Sequence, residues 1–127
     1  MIMYPAIFSP EGEYYNVTFP DVPEAITFGQ GIDEAVEMAQ SVLGLALYDQ
    51  DSFPKATNPK DVRLNNENNN DFIVAITLDI AEYRKNNHSK VVRKNISIPE
   101  WLNILAEKEN INFSQALTEA LKEKLGV

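Results

Sequence analysis

The chain has no cysteine and a single histidine, His88. The first absence excludes a disulfide framework and any thiolate metal site. The second leaves nothing to complete a histidine ligand set, so His88 reads as a solvated linker residue. No apolar run approaches the roughly 18 residues that a transmembrane helix needs. The start, Met1-Ile-Met-Tyr-Pro5, lacks a basic segment followed by a long apolar stretch. No signal peptide and no membrane association are therefore expected, and the cytoplasm is the expected location. There is no Gly-rich phosphate loop, no Walker pattern and no Gly-x-Ser-x-Gly elbow, so no cofactor is expected.

What is present suits a soluble globular protein: 127 residues, 44% hydrophobic and 24% charged. That length holds one ordinary domain or two small ones. The net charge of −8 is unevenly spread. Residues 1–87 carry five Lys or Arg against fourteen Asp or Glu, whereas residues 88–127 carry six against five. The acidic part repels phosphate backbones and favours basic protein partners.

The pattern along the chain reads as α+β. Met3–Ser9 and Tyr14–Phe19 alternate like strands across a turn-rich Ser9–Glu13, which makes a hairpin. Pro20–Glu24 is a stiff connection to a short third strand, Ala25–Phe28. From Ile32 to Asp49, apolar residues recur at helical spacing, with Asp33 and Glu34 in the first turn, where the helix dipole favours acids. Residues 50–70 turn polar and read as loop, mobile around the asparagine run. Asp71–Leu78 is nearly all apolar, as in a strand buried on both faces. Asp79–Lys85 is a short helix and Asn86–Ser89 a polar hinge. Residues 1–86 thus predict a β-β-β-α-β domain with one covering helix. Its fourth strand would be parallel to the first, and its second sheet face open to a partner.

Acids gather at Asp21, Glu24, Asp33, Glu34 and Glu37. Such a set could hold Mg²⁺ in a nuclease. Asp33, Glu34 and Glu37 read better as a helix start and its solvated face. The aromatics Tyr4, Phe8, Tyr14, Tyr15, Phe19 and Phe28 could stack bases, but by alternation half of them are core. No Lys or Arg is interleaved with them.

Residues 90–127 carry a sharper pattern. Lys90–Ile98 reads as one alternating strand with no nearby partner of its own. Ile96 and Ile98 face one way, towards a core with Leu102, Leu105, Leu117 and Leu121. Arg93, Asn95 and Ser97 face the other way, where Arg suits guanine and Asn suits adenine. Lys90 and Lys94 are placed for phosphates. Pro99 opens one helix. Asn112 caps another, with Gln115 completing a capping box, and the free N–H groups of Phe113 and Ser114 make a phosphate clamp. A lone strand with two helices calls for a second copy, and two such strands make a ribbon that fits the major groove.

Arg93–Asn103, Ile111–Leu117 and Glu119–Leu125 resemble the ribbon-helix-helix domain of HicB-type antitoxins of type II toxin–antitoxin systems. Tyr4–Phe8, Tyr14–Asp21, Ala25–Gly29 and Asp33–Ala35 are similar to that family's partial ribonuclease-H-like domain. The resemblance implies an antitoxin that is not an enzyme. Its first domain would neutralise a small basic HicA-type toxin that cleaves messenger RNA. Its second, residues 90–127, would dimerise and bind operator DNA, repressing its own operon. The resemblance gives Arg93, Asn95 and Ser97 the groove and Asn112, Phe113 and Ser114 the phosphate, and leaves the toxin-binding residues unassigned. The modest positive charge of the tail puts part of the operator affinity on paired dimers, a tetramer, or on bound toxin. A metal-dependent ribonuclease and a stand-alone ligand-sensing repressor are the alternatives.

Overall fold

A meander of three strands opens the chain: β1 (Ile2–Glu11), β2 (Tyr14–Thr18) and β3 (Ile26–Gln30). The structure is a computed structural model that describes residues 1–64, 70–87 and 90–127. Gly12, at φ 62°, supplies the left-handed position of the two-residue turn between β1 and β2. Both prolines of β1 sit where the strand has one neighbour. Pro5 pairs only with β4 (Phe72–Leu78), and Pro10 only with β2. A missing N–H is tolerated at such places.

Helix α1 (Gly31–Leu47) follows β3 without a loop. Gly31 makes the corner at φ 79°, and its N–H donates to the carbonyl of Glu13 at 2.9 Å. The helix lays Ala35, Ala39, Leu43 and Leu47 onto Tyr4, Ala6, Phe8, Val17 and Ile76, all buried. Its small residues let the backbone come close. A Cβ on Gly29 would lie 2.5 Å from the Ala35 nitrogen, so this site admits no side chain.

The sheet order is β3-β2-β1-β4, and all its pairings are antiparallel. The expected parallel pairing of β4 is overturned: Phe72 lies opposite Phe8, and Leu78 opposite Ile2. A short link after α1 would have launched β4 alongside β1. Residues 48–71 are instead long enough to return the chain to the opposite end of the sheet first. The expectation that β4 is buried on both faces also falls. It is an edge strand whose Ile76 is buried while Ala75 and Thr77 are exposed.

Two devices secure the long connection. Asp21 accepts hydrogen bonds from the Thr57 backbone N–H at 2.8 Å and from its hydroxyl at 2.6 Å. The Tyr4 hydroxyl donates to the Pro54 carbonyl. Burial, and secondarily the Asp21 carboxylate, push the Tyr4 phenol above its ordinary value. Helix α2 (Ile80–Asn87) closes the unit, with the Tyr83 ring over Gly44. Arg84 donates to the Tyr48 carbonyl at 2.8 Å and the Gln50 carbonyl at 3.4 Å. α1 has no basic residue in its own last turn, and Arg84 brings positive charge to its carboxyl end from outside.

The chain divides into two compact units, Met1–Lys90 and Val91–Val127. The second contains α3 (Glu100–Lys108) and α4 (Phe113–Leu125). Residues 90–99 form no backbone ladder, so the expected strand is not formed in the single chain. The reason is the one its sequence implies: a strand exists by pairing, and none is available to it. α3 ends on Asn110 at φ 54°, with Ile111 N–H to the Ala106 carbonyl and Asn110 N–H to the Glu107 carbonyl. This is the Schellman arrangement, which asparagine tolerates. The asparagine run at 65–69 and the hinge residues 88–89 lie outside the described residues.

Gly29→Ala should lower stability by about 1–3 kcal/mol or more, read by urea unfolding, because β3 and α1 must separate to admit the methyl group. Asp21→Ala should cost about 1–3 kcal/mol through the unpaired Thr57 groups. It should also move the Tyr4 titration down towards its ordinary value without reaching it, since burial remains. Ultraviolet titration of the tyrosines measures this.

Candidate functional site

The register across β1, β2 and β3 decides which side chains leave the core. Ile7, Thr18 and Ile26 align on the face away from α1, followed by Ser9, Asn16 and Phe28, then by Glu11, Tyr14 and Gln30. Opposite residues in a ladder share a face, so these three rows form one surface. Ile26 is 64% exposed, Phe28 60% and Tyr14 45%. The Tyr14 and Phe28 rings meet edge to face at 6.1 Å. Beside them is a groove of about 530 Å³ whose lining includes Ile7, Ile26, Thr57 and Val62.

Carboxylates stand at the rim of this surface. Glu11 accepts from the Asn16 amide at 2.7 Å, and Glu13 from the Gln30 amide at 3.0 Å. These cross-strand bonds hold the acids at the turn end of the sheet. The groove lining carries one acid and one base, Asp61 and Arg63. The surface is thus apolar and aromatic in its middle, acidic at its turn end and charge-balanced at the groove. That anatomy suits a protein partner, since interface centres are aromatic and rims are polar.

The aromatics separate by strand parity. Tyr4, Phe8 and Phe19 are buried, Tyr15 is partly buried, and Tyr14 and Phe28 are exposed. Ile26 went unnoticed as a site residue in the sequence. The signal was present in Gly29, because a glycine that must face the helix turns Ile26 and Phe28 outward.

The acidic cluster does not assemble. Asp21 is engaged by Thr57, while Asp33, Glu34 and Glu37 ride on α1. Among the described residues, no group of three or more His, Cys, Asp or Glu could hold a metal ion. A second cleft, of about 550 Å³, lies between α1 and α2 and is lined by Glu37, Gln40, Asp79 and Glu82 among others. Among the described residues no helix is long and apolar enough to cross a membrane.

Lys90, which ends the first unit, and Arg93, Lys94, Asn95 and Ser97 of the second are all exposed along the extended segment. Asn112 caps α4, its side chain accepting from the Gln115 N–H at 3.1 Å. The expected capping box is half made, because the Gln115 amide turns forward to Glu119 at 3.1 Å instead of back to Asn112. Phe113 and Ser114 occupy the first turn, where backbone N–H groups have no intrahelical acceptor. The apolar residues assigned to a dimer core stand open: Ile96 is 57% exposed, Ile98 39%, Leu102 42%, Leu105 53% and Leu121 50%. Leu117 is half-buried, and no residue from Val91 to Val127 is fully buried.

Residues 4–121 match the model of the HicB-like antitoxin of bacterial toxin–antitoxin systems. A toxin–antitoxin complex from Streptococcus pneumoniae contains a similar chain, 28% identical with TM-score 0.60, covering 97% of this chain and 98% of that one. The Burkholderia pseudomallei antitoxin HicB is 21% identical with TM-score 0.54, covering 99% and 98%, a likeness of fold. The antitoxin HicB3 is likewise 21% identical with TM-score 0.52, covering 97% of each. A comparison with curated proteins found no match. An acidic unit with an open sheet face, a second unit without a core, and a family match over most of its length together place the chain: it belongs to the HicB-like antitoxin family of bacterial toxin–antitoxin systems.

Proposed function

We propose that this antitoxin neutralises a small, basic, messenger-RNA-cleaving toxin of the HicA kind through residues 1–86. In the same reading, residues 90–127 dimerise as a ribbon-helix-helix domain and repress the operon by binding its operator. The role is regulatory and non-enzymatic, in the cytoplasm. The toxin reading is supported by the family match and by the relative found in a toxin–antitoxin complex. The acid balance of residues 1–87 supports a basic partner in particular.

The dimer reading is carried by one observation. The 37 residues of the second unit contain helices with clear apolar stripes, and yet bury none of them fully. A unit of this size cannot offset the conformational entropy of its own ordering without a core. A second copy supplies one: Ile96 and Ile98 would pair across a two-fold axis, with the stripes of α3 and α4 closing beneath. The ladder missing from residues 90–99 would then form between chains. Arg93, Asn95 and Ser97 would share the outer face of that ribbon, for base edges. Lys90 and Lys94 would neutralise phosphates, and the α4 start at Asn112, Phe113 and Ser114 would clamp another. Dimers side by side on an operator, as a tetramer, would add to a modest charge.

The ribonuclease alternative is disfavoured by the use of Asp21 as a structural acceptor for Thr57.

Arg93→Ala combined with Asn95→Ala should weaken operator binding by roughly a hundredfold or more in gel shifts, at about 1–3 kcal/mol per base contact. Toxin capture in a pull-down should be unchanged. If both activities fall together in a folded protein, the division of labour between the two units is wrong.

A further inference from the structure

The Met1–Lys90 unit carries several exposed apolar side chains, and they are not equivalent. On α1, Ile32, Met38 and Leu45 are exposed, each separated from the next along the helix by polar residues such as Glu34, Glu37 and Ser41. Scattered surface apolar residues need no explanation. On the sheet, Tyr14, Ile26 and Phe28 are contiguous in register and held on short strands, and two of their rings already touch. Rigid aromatic anchors beside a groove are what an interface centre requires. We propose that this face, centred on Tyr14, Ile26 and Phe28 and running into the Ile7–Val62 groove, is where the basic toxin docks. The assignment rests on the antitoxin reading and names its surface.

Charge selects the occupant. The unit has an excess of acid, Glu11 and Glu13 border the face at its turn end, and at the groove Asp61 is balanced by Arg63. A second copy would bring the same acids against it, and nucleic acid would bring phosphates. Both arrangements are repulsive. A basic protein with an apolar centre gains at the rim and at the core together. Its cations would meet Glu11 and Glu13 at the turn end. An aliphatic or aromatic side chain would enter the groove below Ile26. The acids are already oriented by Asn16 and Gln30, so little side-chain entropy remains to be lost on docking.

The test uses the full-length antitoxin and the product of its neighbouring gene, if small and basic as the proposed function requires, with affinity measured by titration calorimetry. Ile26→Thr with Phe28→Thr preserves strand propensity and should weaken capture by roughly thirtyfold or more, the scale of one lost hot spot. Ile26→Asp with Phe28→Asp should abolish it. Met38→Asp with Leu45→Asp on α1 should leave it within about threefold, as surface changes away from a contact do. Circular dichroism must show all variants folded, and the threonine pair remains decisive if the aspartate pair does not fold. Glu11→Lys with Glu13→Lys should slow association and reduce its salt dependence. If the threonine pair binds like the wild type while the α1 pair loses capture, toxin binding stands and the surface assignment falls. If the wild-type antitoxin itself captures nothing, the antitoxin reading falls first.

Discussion

The seam between β3 and α1 governs the first unit. The helix begins at Gly31, one residue after the strand ends, so its first turn has to lie directly on β3. That is possible only because Gly29 has no side chain. One consequence concerns packing: Ala35 and Ala39 come close enough to seal the core with Phe8 and Val17. The other concerns the opposite side of the sheet. Side chains alternate along a strand, so a glycine fixed inward forces Ile26 and Phe28 outward. The apolar surface left open is therefore a result of how the core closes, rather than an incidental exposure.

The same helix is held at its far end by α2. Tyr83 covers Gly44, where a methyl group would collide with the ring. Arg84 reaches the Tyr48 and Gln50 carbonyls just past the helix. Small residues on α1 therefore serve two neighbours, the sheet at one end and an aromatic ring at the other. The long connection is fastened separately, by Asp21 on Thr57 and Tyr4 on Pro54. The described part of the connection, which includes a 3-10 turn at Pro59–Asp61, is tied to the meander where the Thr57 N–H and the Pro54 carbonyl find partners.

Much of this was legible in the residues. Alternation identified the hairpin, a nearly continuous apolar run identified β4, and helical spacing identified α1, α3 and α4, because each signal is local. The direction of β4 was not legible. A connection as long as residues 48–71 permits either sense, and only its path decides. The apolar run of β4 misled for a related reason. Phe72, Val74, Ile76 and Leu78 serve the core, while the strand lies at the sheet edge, and sequence does not report strand order. In the tail, alternation over residues 90–98 predicts a strand that one chain cannot form. The open face at Ile26 and Phe28 was hidden because apolar residues in a strand are ordinarily assigned inward. It takes the collision at Gly29 to invert that choice.

The two units fall short of completeness in opposite ways. The first has a closed core but an uncovered sheet face bordered by acid at its turn end, which disfavours its own copies and phosphate as covering groups. The second has almost neutral charge and no core at all, and so nothing opposes its meeting a copy of itself. A single net charge of −8 describes neither. By charge, the first surface suits an unlike, basic partner, whereas the second carries no charge barrier to a like one. Under the proposed function, the same chain could then hold a basic partner on its first unit while its second unit meets a copy of itself.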